Sequence, residues 1–252
     1  MYNPGMIYIY DEKLDYDEAW LDDVKGMLDA DRNRQLNRYK FVKDKNLCAI
    51  AYLLLKRAIR FEYGILKLPE IIIENKGKPK FESENICFNM SHCDTAVACV
   101  VDDNEVGIDI QDYSTNMINV WRQITSIREK NSIMKGMIEN NVSCAGLEID
   151  NLACNKWNDA SKEKLVREIT RIWTIKEAYG KYYGTGLDYP LCEKDFSFIN
   201  NSGSWQNYEN LKVYSKIYDK YALCVCSKKC LDIRFVSSKE LILNSLRKEM
   251  VI

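Results

Sequence analysis

FNMSHCDTAVACVVDDNEVGIDIQ, residues 88–111, is the stretch from which the fold of this chain can be read. It divides into a short strand from Ile86 to Asn89, a polar loop, a continuous apolar strand ending at Val101, an Asp102-Asp103-Asn104 turn, and a third strand over Gly107–Gln111. The three strands are expected to meet at one edge. On the last of them side chains alternate, so Gly107, Asp109 and Gln111 share one face while Ile108 and Ile110 point into apolar packing. An acid on a bare, glycine-flanked strand face is open to a ligand, and a metal or phosphate there would explain why an acid interrupts the apolar run. The loop carries His92, the single histidine of the chain. Taken by itself, the stretch is more simply read as a solvated acid on an edge strand beside a loop histidine, and a second site has to decide.

That second site is Lys164 to Gly186, read as a helix around Arg171-Ile172-Trp173-Thr174-Ile175-Lys176-Glu177-Ala178-Tyr179-Gly180-Lys181. Trp173, Lys176, Glu177, Gly180 and Lys181 fall at offsets of three, four, seven and eight and are expected on one face. On an isolated helix Glu177 and Lys181 would be an exposed pair contributing about 0.2–0.5 kcal/mol. Beside Asp109 they acquire a different use. A hard cation takes oxygen ligands from one or two carboxylates plus substrate phosphates and waters, and Asp109 and Glu177 supply the carboxylates. Lys78, His92, Lys176 and Lys181 could hold the phosphates, an inventory that suits phosphoryl-group chemistry.

The rest of the chain frames these two stretches. It has 252 residues, 46% hydrophobic and 29% charged, the balance of an ordinary soluble globular protein with length for one large domain or two small ones. A net charge of −1 and a pI near 6.0 provide no global field for nucleic acid or an anionic membrane, so any phosphate binding is local. The ten cysteines are scattered, with no Cys-x-x-Cys spacing. Neither a leader nor a bilayer-long apolar stretch is present, and a reduced, cytoplasmic protein is expected. Met6 to Tyr10 reads as a strand and Asp17 to Leu28 as an amphipathic helix. A basic segment from Arg32 to Lys45 is either a solvated face or a clamp for an anion, and leads into an apolar helix, Leu47 to Phe61, closing near Gly64. Asn75-Lys76-Gly77-Lys78-Pro79-Lys80 is an ordinary turn or one that lets backbone and lysine approach a phosphate. Met117 to Ile127 reads as a helix, and Asn131 to Ser161 as an insertion or mobile surface segment. Phe196 to Ile199, Leu211 to Ile217 and Tyr221 to Cys226 read as strands, with a turn at Asn200-Asn201-Ser202-Gly203. The order helix-then-strands occurs twice, which suggests two similarly built halves, residues 1–111 and 112–252, with a site at their junction.

Phe88-Asn89-Met90-Ser91-His92-Cys93, Gly107-Ile108-Asp109, and Trp173-x-x-Lys176-Glu177-Ala178-x-x-Lys181 followed by Gly184-x-Gly186-Leu187 together resemble the signature set of the 4′-phosphopantetheinyl transferase superfamily, in its single-chain Sfp type. Asn75 to Pro79 resembles that family's Tyr-Gly-Lys-Pro element. The resemblance runs from about Arg32 to Cys226; each motif is weak alone, and four in the right order are specific. It implies an α+β fold of two similar subdomains related by a pseudo-two-fold, each a small, mostly antiparallel sheet packed on a long helix. It also implies transfer of the 4′-phosphopantetheine arm of coenzyme A to a serine of an acyl or peptidyl carrier protein, in fatty-acid, polyketide or nonribosomal peptide synthesis, by a monomer. By the same resemblance Asp109 and Glu177 would ligate Mg²⁺, or Mn²⁺ in its place. Arg32, Lys78, Pro79, Ser91, His92, Lys176 and Lys181 would contact coenzyme A, and Glu177 or Lys181 would accept the serine proton.

Three departures from the family pattern stand out. Gln111 occupies a position often held by Glu, and could reach a metal directly or through water. The basic residue that the family pattern expects near Gln35 is missing, which leaves Arg32 and its neighbours to recognise phosphate. The segment before the helical motif is long and poor in aromatics. A non-catalytic coenzyme A or carrier-binding module with a degraded metal site is the alternative from another class, and an unrelated Mg²⁺-dependent phosphohydrolase a third.

Overall fold

A computed structural model of the chain describes residues 5–13, 17–73, 77–138, 159–186, 190 and 192–246. Asn75, Lys76, Leu187 and residues 139–158 lie outside the described residues. The first half contains β1 (Met6–Tyr10), α1 (Glu18–Lys25), α2 (Ala30–Leu36), α3 (Val42–Tyr63), β2 (Ile71–Ile73), β3 (Pro79–Phe81), β4 (Cys87–His92), β5 (Val97–Asp102) and β6 (Gly107–Asp112). There follow α4 (Met117–Ile124), α5 (Ile127–Ile138), α6 (Asp159–Tyr183), β7 (Trp205–Tyr208), β8 (Leu211–Ile217), β9 (Tyr221–Ser227), β10 (Asp232–Phe235) and α7 (Ser238–Leu246).

These elements form the expected α+β architecture. One four-stranded sheet has the order β10-β1-β5-β4 and the other β6-β9-β8-β7, with β2 and β3 as a separate hairpin. Every pairing is antiparallel except β1 with β10. Each sheet carries one long helix. The apolar positions of α3, among them Leu47, Ile50 and Leu54, pack on Tyr8, Val97, Cys99 and Val101 of the first sheet. Ile169, Ile172, Ile175 and Ala178 of α6 pack on Val213, Cys224 and Cys226 of the second. A third core lies between the sheets, where Ile7, Ile9, Ala98 and Val100 meet Ile108, Ile110, Leu223 and Val225. Strand β5 is therefore covered on both faces, which is why its sequence is apolar without alternation. Both long helices stop at a left-handed glycine, Gly64 (φ 69°) and Gly184 (φ 65°), the backbone conformation that a side chain would strain.

The chain path interleaves the two halves. Strands β4 and β5 pair, but β6 leaves them for the second sheet, so the three consecutive strands do not form one edge. Instead the edge strand β4 lies against the edge strand β6, bridged by side chains: the Asn89 carboxamide oxygen accepts from the Ile108 N–H (3.1 Å) and Ser91 Oγ from the Ile110 N–H (3.4 Å). At the other end β10 returns to pair beside β1.

Two local expectations are corrected. The helix expected over Met117–Ile127 breaks at Thr125–Ser126, because Ser126 and Glu129 form a capping box that starts α5: the Ser126 N–H donates to Glu129 Oε2 (2.6 Å) and the Glu129 N–H to Ser126 Oγ (3.1 Å). Helix α5 in turn occupies the start of the region expected to be an insertion, and α6 its end. Phe196–Ile199 is a turn rather than a strand, closed by Ile199 N–H to Phe196 O (2.9 Å); Phe196 and Phe198 stand two apart as on one strand face, yet Phe196 is fully buried and Phe198 exposed.

Candidate functional site

Alternation along β4 sends Phe88 into the first core and turns Asn89 and Ser91 toward β6. Alternation along β6 sends Ile108 and Ile110 between the sheets and leaves Gly107 and Asp109 toward α6. Gly107 is not the open ligand face expected from its sequence. A Cβ there would lie 2.1 Å from the Ala178 carbonyl oxygen and 2.5 Å from the Tyr182 nitrogen, so the absent side chain is what lets α6 lie against β6.

That close approach brings the motifs together. Lys181 Nζ donates to Asp109 Oδ1 (2.7 Å) and to Ser91 Oγ (3.2 Å), and Ser91 Oγ donates to the same Asp109 oxygen (2.8 Å). Asp109 is only 6% exposed, and its Oδ2 is buried without a hydrogen-bond partner. An orphaned carboxylate oxygen in such a place is costly unless a cation or donor meets it. Glu177 lies one turn before Lys181. Burial, and then the charge of Asp109, push its carboxyl above the usual range, while Lys181 opposes the shift. Two carboxylates held in mutual repulsion, one with a spare oxygen, fit a hard divalent cation. Among the described residues no group of three or more His, Cys, Asp and Glu side chains could hold a metal, so other ligands would come from Gln111, water or a bound phosphate. Gln111 lies two residues beyond Asp109 on β6, opposite Ala222 and partly exposed.

The remaining candidates surround this cluster at different ranges. His92 ends β4, exposed, with its pKa below the ordinary value through loss of hydration and then the charge of Lys181; Asp44, Asp94 and Asp109 oppose the shift. Lys78 donates to the Tyr182 carbonyl (2.8 Å) and the Val106 carbonyl (3.3 Å) and pairs with Glu105, so its ammonium closes the C-terminal end of α6. Pro79 opens β3 opposite Ile73. Arg32 lies on α2, its guanidinium 4.7 Å from the ring centre of Tyr52 on α3 and donating to Gln35 Oε1 (2.7 Å).

Lys176 is not with the others. It is fully buried and paired with Glu129 (2.8 Å), which is equally buried. Five residues separate it from Lys181, roughly 140° around the helix. The face expected to carry both is therefore split: Glu177 and Lys181 look toward β6, and Lys176 toward α5. Sequence reasoning missed Glu129, whose partner is 47 positions away by number (176 − 129), and the bridging role of Asn89. For Glu129 the Ser-x-x-Glu spacing of a capping box was the available signal.

Comparison with known proteins bears on this arrangement directly. The family model described as 4′-phosphopantetheinyl transferase superfamily matches residues 105–226, from just before β6 to the end of β9, including Asp109, Glu177 and Lys181. The chain is similar to 4′-phosphopantetheinyl transferase gsp of Aneurinibacillus migulanus, 27% identical over 173 residues, covering 67% of this chain and 61% of that one. It is similar also to 4′-phosphopantetheinyl transferase psf-1 of Bacillus pumilus, 22% identical over 174 residues, covering 68% and 64%. The match thus spans less than two thirds of the length of either relative. Through the segment that builds the second sheet, its long helix and the acids between them, the chain is similar to the 4′-phosphopantetheinyl transferase superfamily.

Proposed function

We propose that the chain transfers the 4′-phosphopantetheine arm of coenzyme A to a serine of an apo acyl or peptidyl carrier protein, releasing adenosine 3′,5′-bisphosphate. The observation that carries this reading is the meeting of Ser91, Asp109 and Lys181, one from each motif, through hydrogen bonds of 2.7–3.2 Å beside the half-buried Glu177. The names of both relatives support it.

In this reading Asp109 and Glu177 hold Mg²⁺, or Mn²⁺ in its place, with Gln111 assisting through water. The bound cation supplies positive charge to the pyrophosphate. Ser91, His92 and Lys181 face the phosphates, and Arg32 serves the adenosine phosphates. Lys78 and Pro79 border the site; a phosphate contact by Lys78 requires its ammonium to exchange carbonyl partners for the ligand. Lys176, buried on Glu129, is withdrawn from coenzyme A contact. The carrier serine oxygen attacks the phosphorus that bears the pantetheine oxygen. The bond from that phosphorus to the bridging pyrophosphate oxygen breaks, and adenosine 3′,5′-bisphosphate leaves with the electron pair. The serine proton passes to Glu177, directly or through water. Lys181, engaged by Asp109 as an ammonium, suits stabilisation of the charge that develops. We read the chain as acting alone, as a monomer, in the cytoplasm.

The test is the intact mass of a panel of apo carrier proteins after incubation with the chain, coenzyme A and Mg²⁺, beside Asp109→Ala and Glu177→Ala. A gain of one phosphopantetheine that both variants lose is expected. No gain on any carrier, with coenzyme A still bound, would overturn the transferase reading in favour of a non-catalytic binding module.

A further inference from the structure

Glu129 and Lys176 form an ion pair in which neither side chain is exposed to solvent (0% for each). Glu129 Oε2 takes the Lys176 ammonium (2.8 Å) and the Ser126 N–H (2.6 Å), while Oε1 takes the Phe196 N–H (2.8 Å). Lys176 Nζ also donates to the Lys194 carbonyl (2.9 Å). One carboxylate therefore ties together the first turn of α5, the middle of α6 and the turn ahead of β7. Phe196, whose N–H it holds, stacks on Tyr208 of β7 with ring centres 4.4 Å apart.

Such a pair is an expensive way to hold a core together. Two charges removed from water lose hydration that their attraction only partly returns, and well-packed apolar side chains often do as well or better. What a buried pair provides that apolar packing does not is direction: the ammonium has one place to go, and the helix that carries it has one rotational setting. The next residue along α6 is Glu177, and Lys181 follows one turn later with its ammonium on Asp109. At a side-chain reach of roughly 6 Å, a rotation of about 10° around the helix axis moves the Glu177 carboxyl by about 1 Å. A misplacement on that order costs ~100-fold in rate when the group must act at a fixed point.

We propose that Glu129 and Lys176 are positioning residues for the transfer reaction, a buried ionic stop that sets the rotation of α6 and so aims Glu177 and Lys181 at Asp109. Neither touches a reacting atom. The inference rests on the transferase reading and adds to it two residues on the side of α6 away from β6.

The test compares the parent chain with Glu129→Gln/Lys176→Met, which keeps an acceptor for the Phe196 N–H and leaves no lone charge in the core. It is expected to fold with a Tm near that of the parent. Its kcat for carrier modification is expected to fall on the order of tenfold to 100-fold with the KM for the carrier unchanged. The gain in coenzyme A affinity on adding Mg²⁺, measured by titration calorimetry, should shrink with it. Glu129→Asp, which keeps the charge and shortens its reach, serves if the double variant does not fold, with the same fall in kcat expected. A folded variant of either kind that matches the parent in kcat and in Mg²⁺-dependent affinity would overturn the inference. A parent that modifies no carrier fails the transferase reading alone, and the positioning inference is then decided by the calorimetry.

Discussion

Ser91 shows how much one small side chain does here. Its hydroxyl donates to Asp109, accepts from Lys181 and lies 3.4 Å from the Ile110 nitrogen on the neighbouring sheet edge. Ser91→Ala removes these bonds without adding bulk, and is expected to cost about 1 kcal/mol in denaturant unfolding and roughly tenfold in the rate of carrier modification by intact mass. His92 offers a second residue-scale test, because it is the single histidine and its imidazole resonance needs no assignment. Its NMR titration midpoint should lie below the ordinary 6.5. Lys181→Met, which removes one of the two causes of the lowering, should raise that midpoint; a midpoint that stays or falls counts against their proximity. The sign for stability follows. Between the lowered folded pKa and 6.5 the unfolded chain binds more protons than the folded one, so the His92 contribution to stability is present above 6.5 and declines as pH falls through that window. His92→Gln should therefore lose less stability than the parent between pH 7.5 and pH 5.5 in urea titrations.

At the scale of elements the decisive contact is α6 on β6. Gly107→Ala would place a methyl group 2.1 Å from the Ala178 carbonyl oxygen, backbone that cannot rotate away. The helix has to retreat, and Glu177 and Lys181 retreat with it. A loss of about 1–3 kcal/mol or more is expected in thermal unfolding, together with loss of carrier modification. Gly136→Ala in α5, where a Cβ meets nothing within 4 Å, is the control and should stabilise by up to about 1 kcal/mol. The elements also show what the sequence could and could not reveal. Strand alternation at Gly107–Gln111 was readable because the period of two is local, and Asp109, Glu177 and Lys181 were readable because they fall in named motifs. Lys176 was misplaced because its motif fixes spacing but not which side of a helix covered all round meets which neighbour. The turn at Phe196–Ile199 was misread because Phe196 and Phe198 stand two apart, the spacing of one strand face. The purpose of Gly107 was hidden because a glycine that admits a ligand and one that admits a helix read alike.

The two halves were expected as 1–111 and 112–252, and we propose that they are lobes of one cooperative unit rather than separately folding domains. Three observations support this. The apolar layer between the sheets draws Ile7, Val100, Ile108 and Val225 from both lobes. The Asn89 and Ser91 side chains bridge the sheet edges. The C-terminal segment returns to the first sheet through β10, and α7 is held there by the buried Arg57, which donates to the Glu240 carbonyl (3.2 Å) and carboxylate (3.3 Å). No helix among the described residues is long and apolar enough to cross a membrane. Leu223 is fully buried within it on β9. Leu223→Ala is expected to destabilise the whole molecule by about 2–5 kcal/mol. The unfolding of both lobes should shift together. The His92 resonance reports the first sheet, and in a Trp20→Phe background, which removes the tryptophan packed on the first core, tryptophan fluorescence reports the second lobe, so the two probes must give coincident midpoints in parent and variant alike. If the lobes are independent, the fluorescence midpoint alone will fall in Leu223→Ala while the His92 midpoint stays at the parent value.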